Sequence, residues 1–293
     1  MSGLSASLLW TPCLQRGLEW FSERRALAVG IITSGVGIGG LVYSNIFTAC
    51  FQTVGYAWGL RIVGFSQLLL IGISVVACVR LNPPAKKDVP ILELQVFKHK
   101  KYLIVFCLHL LSNFANRVPY AYMSSYAERL GSNPWVTGNI NAIASACLAI
   151  GKILMGYLAD RIGRLNVGIL CASLATIAHF AIWLTATTEA SMWVFAVLQG
   201  ISQGGYMAII YSLINDYVPL DLADAAIGWA LFAWAPGGLL SQPITSYIID
   251  RGNGIKPYYQ GAIIFSGLIY FLSACLVFIL RIMKGGLQIF QKI

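Results

Sequence analysis

Residues 165–188 read LNVGILCASLATIAHFAIWLTATT, a run of 24 residues without Asp, Glu, Lys or Arg. At 1.5 Å per residue, such a run is long enough as an α-helix to cross a hydrocarbon layer of about 30 Å. Six other runs are also free of these charges: 26–50, 62–79, 134–151, 190–215, 225–249 and 257–280. An eighth run, 102–127, is interrupted only by Arg117, and an apolar stretch at 1–15 is too short for a comfortable crossing.

The composition supports reading these runs as membrane spans. Hydrophobic residues make up 58% of the 293 residues and charged residues 11%, whereas a soluble domain carries about 25% charged residues. The alternation of hydrophobic and polar residues in segments of about ten, which marks a membrane barrel, is missing from the sequence. The backbone N–H and C=O groups must therefore form their hydrogen bonds within helices. The sequence predicts an all-α polytopic membrane bundle with about eight full transmembrane helices and a partial one at the N-terminus.

The net charge of +9 raises the question of a nucleic-acid partner. Fifteen of the 20 Lys and Arg residues fall at 16–25, 80–101, 152–164 and in the C-terminal tail, which successive crossings place on one side of the bilayer. The positive-inside rule predicts that this side, with the C-terminus, is cytosolic. We therefore expect the protein to have a lipid bilayer and no nucleic acid as partner. The bilayer is either the plasma membrane or an internal membrane.

The longest polar stretch lies between two groups of spans and contains Asn82-Pro83-Pro84. It predicts a remnant of an N-terminal bundle at 1–80, a cytosolic linker at 81–101, and a six-helix C-terminal bundle with a short tail at 102–293.

An internal repeat relates the two predicted bundles. A shift of 198 residues superimposes six residues without gaps, Ala28, Gly30, Gly39, Gly40, Leu41 and Ile46 on Ala226, Gly228, Gly237, Gly238, Leu239 and Ile244. Small residues let helix backbones approach closely, so we expect helix packing at Gly35, Gly39, Gly40, Gly237 and Gly238. Parallel halves of this kind are one transporter design, with the substrate between them near the midplane.

A loop between two spans, residues 156–164, reads GYLADRIGR on the predicted cytosolic side. Its glycines permit a tight reversal, Asp160 can cap a helix or pair with a charge across the seam, and Arg161 and Arg164 can anchor it. The motif resembles the signature loop of the major facilitator superfamily, which implies a gate latch formed by Gly156, Asp160, Arg161, Gly163 and Arg164. An ordinary tight turn with topology charges is the alternative.

Three further segments resemble the monocarboxylate transporter family of that superfamily, especially its fungal branch. Residues 20–30, WFSERRALAVG, resemble the loop before helix five, and the glycine pattern at 35–40 continues the match. Residues 151–156, GKILMG, resemble helix eight, with Lys152 where members commonly have Arg and Leu148 where mammalian proton-coupled members have Asp. The resemblance implies secondary transport of a small organic anion such as a monocarboxylate by alternating access, in a chain lacking three helices and part of a fourth. A transport-incompetent fragment is the alternative.

Arg117 is the leading candidate for substrate binding, because an ionisable residue within a span is costly. Asn113, Asn116 and Tyr120 share one helix face with it, which predicts a cavity wall where Arg117 holds a carboxylate. Snorkelling of Arg117 towards the surface is the alternative. Lys152 can contact the anion or reach the interface, and Gln203 can bond the substrate or pack helices.

Enzyme chemistry lacks support in the sequence. No phosphate loop, Ser-His-Asp arrangement or intramembrane carboxylate pair is present, and the three histidines show no metal-ligand spacing. We expect no enzyme activity, no cofactor and no metal.

Overall fold

The computed structural model describes residues 24–77, 93–219, 222–251 and 258–285. The predicted partial helix at 1–15, residues 81–92 of the predicted linker and the tail beyond 285 lie outside them. Helices form throughout the described part, where no strand occurs, so the predicted fold class is confirmed. In chain order they are α1 (Arg25–Thr53), α2 (Tyr56–Ala77), α3 (Lys100–Arg129), α4 (Pro134–Ile162), α5 (Arg164–Ile177), α6 (Glu189–Tyr217), α7 (Ala223–Phe232), α8 (Trp234–Asp250) and α9 (Tyr259–Gly285).

Two shorter segments complete the described chain. A 3-10 helix at Leu94–Lys98 leads into α3, and a π-helical segment at Ala178–Trp183 extends α5. Glu93 caps the 3-10 helix by accepting from Gln95 N at 3.2 Å. The end of the predicted linker is therefore helical.

Six described helices are long and apolar enough to cross a membrane: α1, α2, α4, α5 with its π-helical extension, α6 and α9. The other two predicted spans do not meet these criteria of length and hydropathy, each for a different reason. Helix α3 has 30 residues, but its polar stripe lowers its hydropathy. The run 225–249 is divided at Ala233, because Pro236 has no N–H for the Phe232 carbonyl and its ring clashes with that group.

Polar contacts show which helix ends lie together at each end of the bundle. At one end, which we call the basic end, Arg164 of α5 contacts Asp216 of α6, and Lys284 of α9 lies 3.9 Å from the same carboxylate. At the other end, Glu189 of α6 accepts from Asn133 N before α4 at 2.6 Å. Helices α4, α5 and α6 thus alternate in direction, and α6 and α9 both end at the basic end.

Helix α4 lies at the centre, between α1 and α6. Glycine makes both approaches possible: a Cβ atom on Gly151 would lie 2.5 Å from Ile201 O of α6, and one on Gly37 would lie 2.8 Å from Ala149 Cβ. A Cβ atom on Gly30 would overlap the Lys152 carbonyl oxygen. The residues of α2, in contrast, are mostly exposed.

The glycines expected to pack helices fall into two groups. A Cβ atom on Gly237 of α8 would lie 3.2 Å from Asn113 Cβ, whereas one on Gly238 would be 3.9 Å from Arg117 Nη2, an ordinary contact. On α1, a Cβ atom on Gly35 or Gly39 would meet no described atom within 4 Å, and one on Gly40 only Ser145 at 3.8 Å. The close approach of α1 therefore occurs at Gly30 and Gly37, on the other face of the helix.

Candidate functional site

A cavity of about 350 Å³ opens between α1, α3, α4, α6 and α8. Most of its lining comes from the middle turns of these helices, far from either end of the bundle. It is lined by Thr33, Val36, Gly37, Asn113, Asn116, Arg117, Tyr120, Ser145, Leu148, Lys152, Met207, Tyr211 and Trp234.

Five of the six residues predicted to bind substrate line this cavity: Asn113, Asn116, Arg117, Tyr120 and Lys152. The first four recur at helical spacing, so α3 presents them on one face. Two of the five are cations, and no Asp or Glu occurs among the described lining residues. The cavity wall is therefore electropositive.

Arg117 is exposed and sits in the middle of α3. The structure gives it no hydrogen bond or ion pair with any described residue. A Cβ atom on Gly238 would lie 3.9 Å from its Nη2 atom, so the guanidinium lies beside α8. Its five N–H donors are available to a ligand in the cavity.

Lys152 is only 3% exposed and turns towards α1. Its Nζ atom donates to Thr33 O at 2.6 Å, which joins α4 to α1 beside the cavity. The alternative of a stem that reaches the membrane interface does not fit this burial. Leu148, one turn earlier on α4, lines the same cavity with an apolar side chain.

Gln203 lies outside the cavity lining and is 1% exposed. Tyr270 Oη of α9 donates to Gln203 Oε1 at 3.2 Å, and Gln199 Nε2 donates to Tyr270 Oη at 2.8 Å. Gln199 Nε2 also donates to Asn116 Oδ1 at 3.4 Å. This network joins α3, α6 and α9, which corresponds to the helix-packing alternative.

The predicted loop at 156–164 is mostly helical, because it comprises the last two turns of α4, Gly163 and the first residue of α5. It holds the end of α4 against the start of α1. Asp160 Oδ1 accepts from Ala26 N at 3.3 Å and Oδ2 from Leu27 N at 3.0 Å. A Cβ atom on Gly156 would lie 2.7 Å from Ala26 O, so a larger residue there would separate the helices. Gly163 has φ +100°, a conformation that glycine adopts without a steric cost and that lets α5 begin at once.

The basic residues of the loop have separate partners. Arg164 Nη1 donates to both carboxylate oxygens of Asp216, at 2.6 and 2.7 Å. The Arg161 guanidinium lies 4.5 Å from the centre of the Tyr157 ring. Arg164 thus ties the loop to α6, and Arg161 stays on its own helix.

Comparison with known proteins adds a match to the family model described as Major Facilitator Superfamily, over residues 105–286. The matched region is more than half of the chain. The chain belongs to the major facilitator superfamily.

Fungal relatives extend the similarity over nearly the whole chain. MFS-type transporter 1 of Ophiocordyceps sp. (strain BCC 1869) is 29% identical over 293 residues, covering 100% of this chain and 65% of that protein. MFS transporter asaE of Aspergillus flavus is 27% identical, covering 99% and 66%. Aspyridones efflux protein apdF of Emericella nidulans is 26% identical over 277 residues, covering 92% and 56%. The chain thus spans less than two thirds of the length of these relatives.

These findings confirm the superfamily and the multi-pass membrane fold that the sequence predicted. These relatives are named as transporters or efflux proteins. The finer resemblance to the monocarboxylate family stays a prediction.

Two residues near the cavity, His109 and Trp234, were not predicted from the sequence. Trp234 Nε1 donates to His109 Nε2 at 3.0 Å, and Asn113 Nδ2 donates to His109 O at 2.8 Å. His109 precedes Asn113 by four residues, so extending the polar stripe by one turn would have reached it. Trp234 carries no such signal, because only the folded arrangement brings it to α3.

Proposed function

We propose that this protein is a secondary transporter of a small organic anion, which binds in the central cavity with its anionic group on Arg117. The observation that carries the proposal is an arginine in an electropositive cavity at the middle of the bundle, with no hydrogen bond or ion pair to any residue that the structure describes. Alternating access, by rocking of the helices around this cavity, is the mechanism that we propose for the superfamily fold.

The charge of the cavity favours an anion. An arginine at membrane depth is costly unless it is paired or hydrated, and Arg117 has no described partner. A carboxylate would accept two parallel N–H bonds from the guanidinium. Lys152 adds a second positive charge, although its ammonium already donates to Thr33 O.

The volume of the cavity favours an acid larger than lactate or pyruvate. Pockets that enclose drug-sized ligands have volumes of about 300–1,000 Å³, and this cavity has about 350 Å³. A three-carbon monocarboxylate would leave much of that space unfilled. The names of relatives such as the aspyridones efflux protein support export as the direction.

The loop contacts fit a latch at the basic end, which we propose to be cytosolic. Asp160 holds α4 on α1, and Arg164 holds α5 on α6. Opening the cavity towards that end requires the first of these contacts to break, because α1 forms one of the cavity walls.

A transport assay on the full chain tests the role of Arg117. After membrane insertion is confirmed, transport of labelled lactate, pyruvate and larger aromatic acids is measured in a host without its own carboxylate transport. We expect Arg117→Gln to lower transport by about 10- to 100-fold, since a hydrogen bond to a charged group contributes about 1.5–3 kcal/mol. Arg129→Gln is the matched control, because Arg129 is on the same helix but outside the cavity lining.

Two results would contradict the proposal. Equal transport by Arg117→Gln and the unaltered chain would remove the anion-binding role of Arg117. No transport of any acid by the correctly inserted chain would favour a membrane protein that does not transport by itself.

A further inference from the structure

We infer that the basic end carries a binding site for the phosphate group of an anionic membrane lipid, formed by Lys101 of α3, Tyr217 of α6 and Lys284 of α9. This site is separate from the central cavity, because none of the three residues lines that cavity. The inference depends on the membrane-spanning bundle and not on the identity of any transported compound.

The centre of the site is the ring of Tyr217, the last residue of α6. The Lys101 Nζ atom lies 5.9 Å from the centre of this ring, and the Lys284 Nζ atom lies 5.4 Å from it. An ammonium group within about 6 Å of an aromatic ring is attracted by its π electrons. Tyr217 thus brings the lysines of two other helices to one place.

The charges at this place favour an anion. Asp216 is the acidic group there, but Arg164 Nη1 already donates to both of its oxygens, at 2.6 and 2.7 Å. Lys284 Nζ lies 3.9 Å from Asp216 Oδ2, which is too far for a hydrogen bond. Three cations, Arg164, Lys101 and Lys284, thus lie near one carboxylate, which leaves a net charge of +2. The two ammonium groups beside the ring repel each other, and an anion bound next to them is stabilised by both.

The site lies at the depth of lipid head groups. Lys284 ends the apolar segment of α9, and Tyr217 follows the apolar segment of α6, which ends at Ile214. The Lys284 side chain is 33% exposed, and the half-buried Lys101 is the second residue of α3. Basic pockets between membrane helices at this depth bind the head groups of anionic lipids.

Exposed apolar side chains near the two lysines favour a lipid over soluble phosphate. Helix α9 packs against α3, and Leu103 of α3 is exposed, as are Ile279 and Met283 of α9. Ile279 and Met283 are four residues apart and share one face of α9. A lipid held by its phosphate can place its acyl chains along this surface, whereas inorganic phosphate would gain nothing from it.

The experiment measures binding to the purified full chain in detergent by calorimetry. The probes are dioctanoyl phosphatidylglycerol, whose one charge is its phosphate, dioctanoyl phosphatidylcholine, which has the same acyl chains and no net charge, and inorganic phosphate. We expect phosphatidylglycerol to bind more tightly than either of the other two. Lys101→Gln and Lys284→Gln are each expected to weaken its binding about 5-fold, the effect typical of one lysine near an anionic lipid surface.

A neighbouring lysine is the matched control. Lys100→Gln removes the same charge, but Lys100 is exposed and successive residues of a helix face different directions, so we expect unchanged affinity. Tyr217→Phe keeps the ring and is expected to bind as the unaltered chain does. Tyr217→Leu is expected to weaken binding about 2- to 5-fold, the effect of losing one exposed cation–π contact. Thermal unfolding without lipid shows whether each variant is folded.

Three results would overturn the inference. Equal weakening by Lys100→Gln and Lys101→Gln would show that the basic end attracts anions through its general charge. Equal affinity for phosphatidylcholine and phosphatidylglycerol would show binding through the acyl chains alone. Inorganic phosphate that binds as tightly as phosphatidylglycerol would assign the lysines to a soluble anion. None of these results changes the test of Arg117, which concerns the central cavity.

Discussion

Asp160 stabilises the start of α1 from another helix. The N-cap residue of α1, Arg24, makes no side-chain hydrogen bond to the helix, and the first turn of α1 contains no acidic residue. The first N–H groups of a helix need acceptors. Asp160 supplies them to Ala26 and Leu27, and its negative charge also interacts favourably with the positive end of the helix dipole.

Removing this carboxylate should destabilise the protein. We expect Asp160→Ala to lower the free energy of unfolding by about 1–2 kcal/mol, the usual effect of losing a helix cap, and Asp160→Asn to lower it less. Asp250→Asn is the control, because Asp250 ends α8, where a negative charge opposes the dipole. Thermal unfolding of the purified chain in detergent measures the difference. Equal midpoints for Asp160→Ala and the control would show that the cap contributes nothing.

The loop shows how far single residues can be predicted from sequence. The motif at 156–164 identified Asp160 as a helix cap or ion-pair partner, but the first N–H group that it caps, that of Ala26, lies 134 residues earlier in the chain. The sequence did not mark Asp216 as a partner of Arg164, because it is simply an acidic residue at the end of a span. The contact between them depends on α6 lying beside α5. Local chemistry predicts the type of contact, and the fold selects the partner.

At the scale of elements, the packing of α1 depends on which face of the helix its glycines occupy. Gly30 and Gly37 share the face that meets α4, whereas Gly35 and Gly39 lie towards the other side. The sequence pattern contains both sets and cannot tell them apart, because either would permit a close helix contact. The polar stripe of α3 was easier to predict, since only one face of that helix carries it.

Paired alanine substitutions separate the two faces of α1. Gly30→Ala should lower the free energy of unfolding by about 1–3 kcal/mol, because the new methyl group meets backbone atoms of α4 that no rotamer change can move. Gly39→Ala should be neutral or stabilise α1 by up to about 1 kcal/mol, the difference in helix propensity. Thermal unfolding in detergent gives both values. A larger loss for Gly39→Ala than for Gly30→Ala would contradict the packing of α1 on α4.

At the scale of the whole molecule, the sequence predicted the helical bundle and a polar cavity wall on α3, but not which other helices enclose the cavity. Its α3 wall follows from local periodicity. The contributions of Thr33 from α1 and Trp234 from α8 depend on contacts between distant segments, and the break at Ala233 turned a predicted single span into two helices. Local patterns therefore predict the elements, and packing determines which of them meet around the cavity.

The proposed rocking motion predicts that the basic end must open for the cavity to be reached from that side. Ser145 lines the cavity, so Ser145→Cys, in a chain whose seven natural cysteines are replaced, reports access to it. A membrane-impermeant thiol reagent is added to sealed vesicles in which the protein is inserted in one orientation or the other, and the labelling rate is measured. Lys98→Cys at the basic end and Thr187→Cys at the opposite end, both exposed, identify the side from which the reagent acts.

In the proposed latch, the contacts of α4 with α1 keep the basic end closed while Asp160 is intact, so we expect Ser145→Cys to react slowly from that side. Adding Asp160→Ala removes both hydrogen bonds to α1 and should increase the labelling rate from the basic end several-fold, because the equilibrium shifts by the free energy of the lost contact. An unchanged rate, with Lys98→Cys labelled normally, would mean that these bonds stabilise α1 without controlling access. A rise from both sides together would instead indicate general loosening of the bundle, because a latch at one end changes access from that end alone.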